Sequence, residues 1–564
     1  MTTFKDFQYQ RPDLNQARQT VDELLEQFRQ ATSAEQQIQL ISDINDIRKD
    51  IDTNLNIAYS RASIDTSDQY YSDERDYFDD NGAKIVAIDA VYFEALLTSE
   101  YREELESHYG KQLFDLAYNV VHSYSDEVEE LINQENKLSS DYSKLIASAQ
   151  IQFDGKELTL AQMSPYTQSP DRETRIAATQ AVQGFMGEHL DDIDAIYDQL
   201  VKVRHQIALT LGFDNFIELG YMRMQRIDYN QEMVASFRRQ IEEFVVPVAN
   251  RLYEQQAERI GVDKLKFYDE GIMFLNGNED PKDSAEVILE NGRKMYHELS
   301  PETDEFYQYM MEHELFDVIA KKGKEGGGYC TYIDRYRAPF IFANFNTTDH
   351  DITVLTHEAG HAFQVYSSRD VEVPDYIWPT HEACEIHSMS MEFFTYPWLD
   401  LFFSNADKFK YKHLTDAIQF LPYGVAVDEF QHGIYENPEL TPSERRSLWK
   451  SIEEKYLPHR DYDGIMPIAD GSYWHRQGHI FNSPFYYIDY TLAQVCAFQF
   501  FRRSRQDFAS AWQDYLHLCH LGGSLPFNAL VDEANLASPF GTGTLKDIMV
   551  YLENYIEHID ASEF

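Results

Sequence analysis

Cysteine is scarce in this chain. Four in 564 residues (Cys330, Cys384, Cys496 and Cys519), none in a CxxC pair, exclude a disulfide framework and a Cys-rich metal site. No apolar run reaches the roughly eighteen residues that a membrane-spanning helix needs. The opening MTTFKDFQYQRPDL lacks the basic and then apolar pattern of a secretory leader. Positive charge is also in short supply: 48 Lys+Arg against 96 Asp+Glu leave a formal net charge of −48. Such a surface repels phosphate backbones and anionic leaflets, which argues against nucleic-acid and membrane partners. Internal repeats, low-complexity tracts and obvious linkers are missing as well. The expectation is a soluble protein of a reducing compartment, the cytoplasm.

What is present is a folded, mainly helical chain. Hydrophobic residues at 43% with 14% aromatics place it among globular proteins despite its acidity. Val21, Leu24, Leu25 and Phe28 repeat at helical spacing, as do Ile41, Ile44, Ile47, Ile51 and Leu55. Asp154-Gly155 between two short alternating runs predicts a hairpin, and Ser169 followed by Pro170 predicts the start of another helix. The glycine-rich KKGKEGGGYC (321–330) reads as a mobile loop, and RAPFIFANFNTTDHD as a strand and turn. We divide the chain into an N-terminal helical region, 1–150, and a catalytic region, 151–564, with interleaved lobes.

The chemistry concentrates in DITVLTHEAGHAFQVYSS. Asp351 is placed to cap a helix that runs through Tyr366, with Leu355, Ala359, Ala362, Phe363 and Tyr366 on its buried face. His357 and His361, four apart, stand one above the other on another face. Two imidazoles at that spacing reach one tetrahedral Zn²⁺, and Glu358 beside them is a candidate general base. A third histidine ligand of the HExxHxxGxxH kind is ruled out by Gln364 and Ser367. A carboxylate on a second helix, THEACEIHSMSMEFFTYPWL, is the next candidate: Glu385, Met389 and Glu392 share a face there. Glu385 is the candidate ligand, and Glu392 a carboxylate that orients a ligand histidine. His381, Glu382 and His387 compete as solvated or capping residues.

At this point the chain resembles the thimet oligopeptidase and oligoendopeptidase F family of zinc peptidases. The resemblance rests on HEAGHAFQ with CEIHSMSMEF, on GGGYC, on PFIFANFNTTDHDITVLTHEAGH, on GHIFNSPFYYIDYTLAQ and on NLASPFGTGTL. It covers about residues 150–550, looks closest to the compact bacterial branch with Pz-peptidases, and touches the first 150 residues only in their being helical. It implies a mainly α, two-lobed fold with a deep substrate channel and a small β-sheet beside the zinc helix. It also implies one Zn²⁺ held by His357, His361 and Glu385, with Glu358 as base and oligopeptides as substrates. Relatives add a His and two Tyr as oxyanion donors. His479 and Tyr490 match, and Tyr486 or Tyr487 is the second tyrosine.

Two further expectations concern substrate alignment. The strand PFIFANF, centred on Ala343, would offer a free edge to an extended peptide. The loop with Gly327 and Gly328 would close over it. The pair His475 and His479 is set aside as a second metal site, since Gly478 and the lack of a nearby acid argue for a loop. The main reading is therefore a zinc endopeptidase. Its rivals are a peptidyl-dipeptidase-type exopeptidase, for which Arg476 is a conceivable carboxylate anchor, and a peptide-binding protein with a structural metal.

Overall fold

The computed structural model describes residues 2–321, 323–559, 561 and 564. Helices dominate, with two small sheets among the described residues. The N-terminal helices start where their sequence supplies caps. Asp13 accepts from the Asn15 and Gln16 N–H groups at the head of Leu14–Gln30. Ser33 and Asp68 do the same for Ala34–Ile64 and Gln69–Leu97. Their apolar stripes, including Val21, Leu25, Phe28, Ile41, Ile44 and Ile51, build a core that Val373 and Tyr376 close from later in the chain. Leu55, at the end of the second stripe, is only half-buried.

The hairpin forms as its turn residues dictate. β1 (Ile151–Phe153) pairs antiparallel with β2 (Lys156–Leu158). Asp154 and Gly155 both take positive φ, 50° and 70°, as a type I′ turn requires. A short helix, Ser164–Thr167, intervenes, and the helix expected at Pro170 begins later, at Arg172. Its cap is Asp171, which accepts from the Thr174 N–H, while Ser169 accepts from Asp171 itself.

The second sheet has the order β3 (Phe316–Ile319), β5 (Ala338–Phe345), β4 (Tyr329–Ile333). β3 runs parallel to β5, and β4 antiparallel. β5 is thus the middle strand, buried from Ala338 through Ala343, which explains its unbroken apolar run. This corrects the expected free edge of PFIFANF. Ala343 is fully enclosed and offers no main chain to a substrate, because strands flank β5 on both sides. The open side of the sheet next to the glycine loop belongs to β4. From β5 the chain turns into the helix His350–Ser368, whose apolar face (Leu355, Ala359, Ala362, Phe363) is buried as expected. Asp351 lies inside that helix and does not cap it. Its carboxylate accepts from the Asn346 and Thr347 N–H groups at 2.9 and 2.8 Å, pinning the strand-to-helix turn.

One buried ion pair ties the body together behind the site. Arg204, fully buried, donates to Glu135 at 2.6 Å, to the Tyr435 hydroxyl at 3.0 Å and to the Ile480 carbonyl at 3.1 Å. Glu135 also accepts from Arg223 at 2.8 Å. Burial pushes the Glu135 carboxyl up, but the charges of Arg223 and Arg204 outweigh it and hold its pKa at about 2, below the ordinary 4.5. The stability this carboxylate contributes is complete above the ordinary value and is lost as pH falls toward the folded one. Glu135→Gln is expected to cost about 3–5 kcal/mol at neutral pH, because it leaves a buried guanidinium uncompensated. Urea unfolding should show that gap closing as pH falls from about 4.5; a gap unchanged at about pH 3 contradicts the assignment.

Candidate metal centre

Two helices cross to make the centre, His350–Ser368 and His381–Phe394. A Cβ at Gly360 would lie 2.7 Å from the His387 carbonyl oxygen and from the Ser388 Cα, so only glycine permits this approach. The crossing brings Glu385 Oε2 to 3.3 Å from His357 Nε2 and 3.4 Å from His361 Nε2. Ligand atoms about 2.0–2.1 Å from one ion at tetrahedral angles are about 3.3–3.4 Å apart, so this donor set fits a tetrahedral divalent metal. The same three residues are the group of described side chains whose ligand atoms lie mutually within 4.8 Å.

A relay of hydrogen bonds orients the donors. His357 Nδ1 meets Glu392 Oε1 at 2.7 Å, and Glu392 Oε2 meets His413 Nε2 at 2.6 Å. His413 Nδ1 in turn meets the Tyr396 hydroxyl at 2.7 Å. Glu385 accepts from Ser388 Oγ at 2.9 Å and from the Tyr486 hydroxyl at 2.6 Å. The centre attracts positive charge. Burial drives His357 toward its neutral form, yet hydrogen bonds and charges from Glu385 and Glu392 hold it protonated well above its usual range. Burial likewise raises the Glu385 carboxyl, but His361 and His357 pull it far below the usual range.

Glu358 sits on the same helix turn with its Oε2 buried and without a hydrogen-bond partner among the described residues. Burial pushes its pKa up against the opposing charges of His357 and His361. Gly328 borders it: a Cβ there would come 3.6 Å from Glu358 Oε1 and 3.4 Å from the Phe342 carbonyl. Gly327 adopts φ +93°, and its carbonyl accepts from Asn344 Nδ2 at 2.9 Å.

The tyrosine and histidine donors arrive from Gly478–Asn482 and from Tyr487–Gln506. His479 Nε2 lies 3.4 Å from the Tyr490 hydroxyl, and its Nδ1 lies 2.8 Å from Gln477 Nε2. Burial lowers the His479 pKa and raises those of Tyr486 and Tyr490, which leaves a neutral imidazole and two protonated phenols. Tyr486 reaches the Glu385 carboxylate, whereas Tyr487 packs against Phe420 and Tyr423. Among the competing residues, His387 is fully buried with Nδ1 on the Ala383 carbonyl. His381 packs edge-on against Tyr486. His475 pairs with Asp194 at 2.9 Å and is no partner to His479. His413, Tyr396, Ser388 and Gln477 were not expected at the centre from the sequence. The one signal for His413 was the need of Glu392's second oxygen for a donor.

A helical body carries two histidines and a glutamate at metal-ligand spacing, with a buried carboxylate oxygen beside them that has no partner among the described residues. Comparison with known proteins supplies the class. The model of peptidase family M3 matches residues 165–550, and that of the peptidase M3 N-terminal domain matches residues 4–124. The chain belongs to peptidase family M3. An oligoendopeptidase F homolog of Borreliella burgdorferi is 24% identical over 429 residues, 70% of this chain and 69% of that protein. The solved structure of PZ peptidase A with an inhibitor superposes with TM-score 0.97 at 54% identity, covering 99% of this chain and 100% of that one. A protein of Bacillus anthracis provisionally assigned as oligoendopeptidase F gives TM-score 0.93 at 51% identity over 100% of both chains. The match at 4–124 falls where the sequence itself displays only helical periodicity.

The relay through Glu392 carries a prediction. Glu392→Gln keeps all three donors but weakens the orienting partner of His357. Zinc affinity, measured by competition with a chelator, is expected to fall about 10–100-fold. Unchanged affinity would remove Glu392 from the centre.

Proposed function

We propose that this M3 peptidase is a zinc-dependent endopeptidase that hydrolyses internal bonds of short oligopeptides. One Zn²⁺ per chain is held by His357, His361 and Glu385. The observation that carries the reading is the buried, unpartnered Oε2 of Glu358 one residue from a metal donor. A site that only held a structural metal has no need of such a group. When bound, zinc lowers the pKa of a water and polarises a carbonyl.

The chain's own residues do the rest. Glu358 takes the proton of the attacking water and passes it to the leaving amine, a task suited to a carboxyl raised above its usual pKa. Tyr490 Oη and His479 Nε2 donate to the oxygen on which charge develops. Tyr486 orients Glu385, and Tyr487 is assigned to the aromatic wall behind them. An extended substrate pairs with β4. Cys330 faces Ile341, whose N–H goes to Leu315 on the far side of the sheet. Cys330 and Gly328 therefore turn their main-chain groups away from β5, toward the open side. Asn56 Nδ2 already occupies the Tyr332 carbonyl on that edge, which ends the free stretch. Among the described residues no helix is long and apolar enough to cross a membrane. We keep a length-limiting channel and a cytoplasmic location within the same proposal.

The test is product mapping by mass spectrometry on a peptide blocked at both ends and about ten residues long. The zinc-loaded wild type should cut internal bonds. Glu358→Gln, with equal metal content, should lose about 10²–10⁴-fold in kcat. Failure of the wild type on a panel of such peptides overturns the endopeptidase reading. Tyr490→Phe should lose about 10²–10³-fold in kcat with KM little changed. A loss confined to KM would instead make Tyr490 a binding residue.

A further inference from the structure

The chain enters the tyrosine-bearing helix through a turn that disfavours its own third residue. The Tyr486 N–H donates to the Ser483 carbonyl at 3.1 Å, closing Ser483-Pro484-Phe485-Tyr486 as a β-turn. Proline in the second place and positive φ in the third mark a type II turn, whose third place favours glycine. Phe485 holds that place with φ +69°. A bulky side chain there is strained, and such strain persists only where the surroundings impose it. Here they impose it from three sides. The Phe485 N–H donates to Gln431 Oε1 at 2.8 Å, and its carbonyl accepts from Arg226 Nη2 at 2.5 Å. The same Nη2 donates to Asp489 at 2.9 Å, one helical turn on. The fully buried ring sits between His432 and Tyr435 and presses on Gly220, where a Cβ would come 2.6 Å from it.

Three separate segments supply this clamp. Gly220 lies on the helix Phe216–Arg223, Arg226 just beyond its end, and Gln431 on the helix Ala406–Glu436, which also carries His413. What the clamp holds stands next in the chain. Tyr486 follows Phe485 directly and reaches Glu385, and Tyr490 lies one turn further on the same face. The left-handed residue sets the direction in which the helix leaves the turn, and with it where both phenols point. We propose that Phe485, clamped by Arg226 and Gln431, is a positioning residue that aims the Tyr486 and Tyr490 hydroxyls at the metal centre. Glycine, the residue the turn favours, would relieve the strain, empty the socket and leave the helix start free to swing. The strain is retained for the accuracy of the two donors. This inference rests on the peptidase reading above, in which Tyr490 donates to the developing oxyanion.

The test places Phe485→Gly in two backgrounds, the wild type and the double variant Tyr486→Phe, Tyr490→Phe, at saturating zinc on one blocked peptide. In the wild type it should lower kcat by about 10- to 100-fold, the cost of misplacing a catalytic group by about 1 Å, with KM little changed. In the double variant it should cost less than about threefold, because the groups it aims are already gone. An equal loss in both backgrounds, a loss confined to KM, or no loss at all overturns the proposal. Gln431→Met keeps the ring and removes one clamp; it carries the same comparison, with the same outcomes, if Phe485→Gly does not fold. Fluorine NMR of the protein with fluorotyrosine at position 490 alone gives a readout independent of cleavage. The signal should shift or broaden when Phe485→Gly is introduced. A shifted signal in a protein that cuts no peptide would sink the peptidase reading and leave the positioning role standing. Cleavage by the wild type with an unmoved signal would do the reverse.

Discussion

The centre depends on how closely two helices can approach at one residue. Gly360 faces the His387 carbonyl and the Ser388 Cα at a distance that no Cβ tolerates. Widening that crossing by the width of a methyl group would carry Glu385 away from His357 and His361. The contacts at 3.3 and 3.4 Å that give the donor set its tetrahedral edge would be lost together. A metal site tolerates errors of only a few tenths of an ångström in its donors, so backbone packing has to supply the accuracy. Apolar burial of Leu355, Ala359, Ala362 and Phe363 holds one helix in place, and Ile386, Met391, Phe393 and Phe394 hold the other.

Charge is the second constraint. The chain is strongly acidic, and its interior treats each buried carboxylate individually. Glu135 is held ionised by two arginines. Behind the second ligand helix, fully buried Arg226 donates to Asp489 at 2.9 Å, yet burial still lifts the Asp489 carboxyl to about 7. Burial raises Glu382 further, in the same neighbourhood. In the candidate centre three carboxylates, Glu358, Glu385 and Glu392, gather, with imidazoles as their close cationic partners among the described residues. Glu385 and Glu392 are ionised by contact with histidine. Glu358 is pushed toward the protonated form, so the three carboxylates of one cluster differ in charge tendency.

What was legible in the sequence was local. His357, Glu358 and His361 lie within one helical turn and a fraction, so spacing alone puts them side by side. The stripe Leu355, Ala359, Ala362 shows which face is buried. The family resemblance singled out Glu385 from its neighbours. Two helix starts shifted because several capping residues compete within a few positions. Asp171 outbid Ser169, and Asp351 turned back to the loop. The strand β3 was not seen at all, since Phe316–Ile319 is too short to show a period, and the edge assigned to β5 failed with it. Strand partners are set by contacts distant in the chain, which no local pattern encodes. His413 was missed for the same reason: it meets Glu392 from a helix with no spacing relation to the motif.

The helix Tyr487–Gln506 shows why Tyr486 and Tyr487 had to be told apart by structure. Successive helical positions diverge by about 100°, so neighbours in sequence serve different sites. Tyr486 and Tyr490, four apart, fall on one face with ring centroids 5.1 Å apart and look toward the metal donors. Tyr487 is turned onto Tyr423 while keeping an edge-on contact with His479. Asp489 points the opposite way, to buried Arg226. One turn of helix therefore supplies the contact to Glu385, the contact to Tyr423 and the ion pair with Arg226. A movement of this turn cannot displace one without the others. That coupling ties the placement of the aromatic cluster around His479, which Tyr487 also meets edge-on, to the buried pair of Arg226 and Asp489.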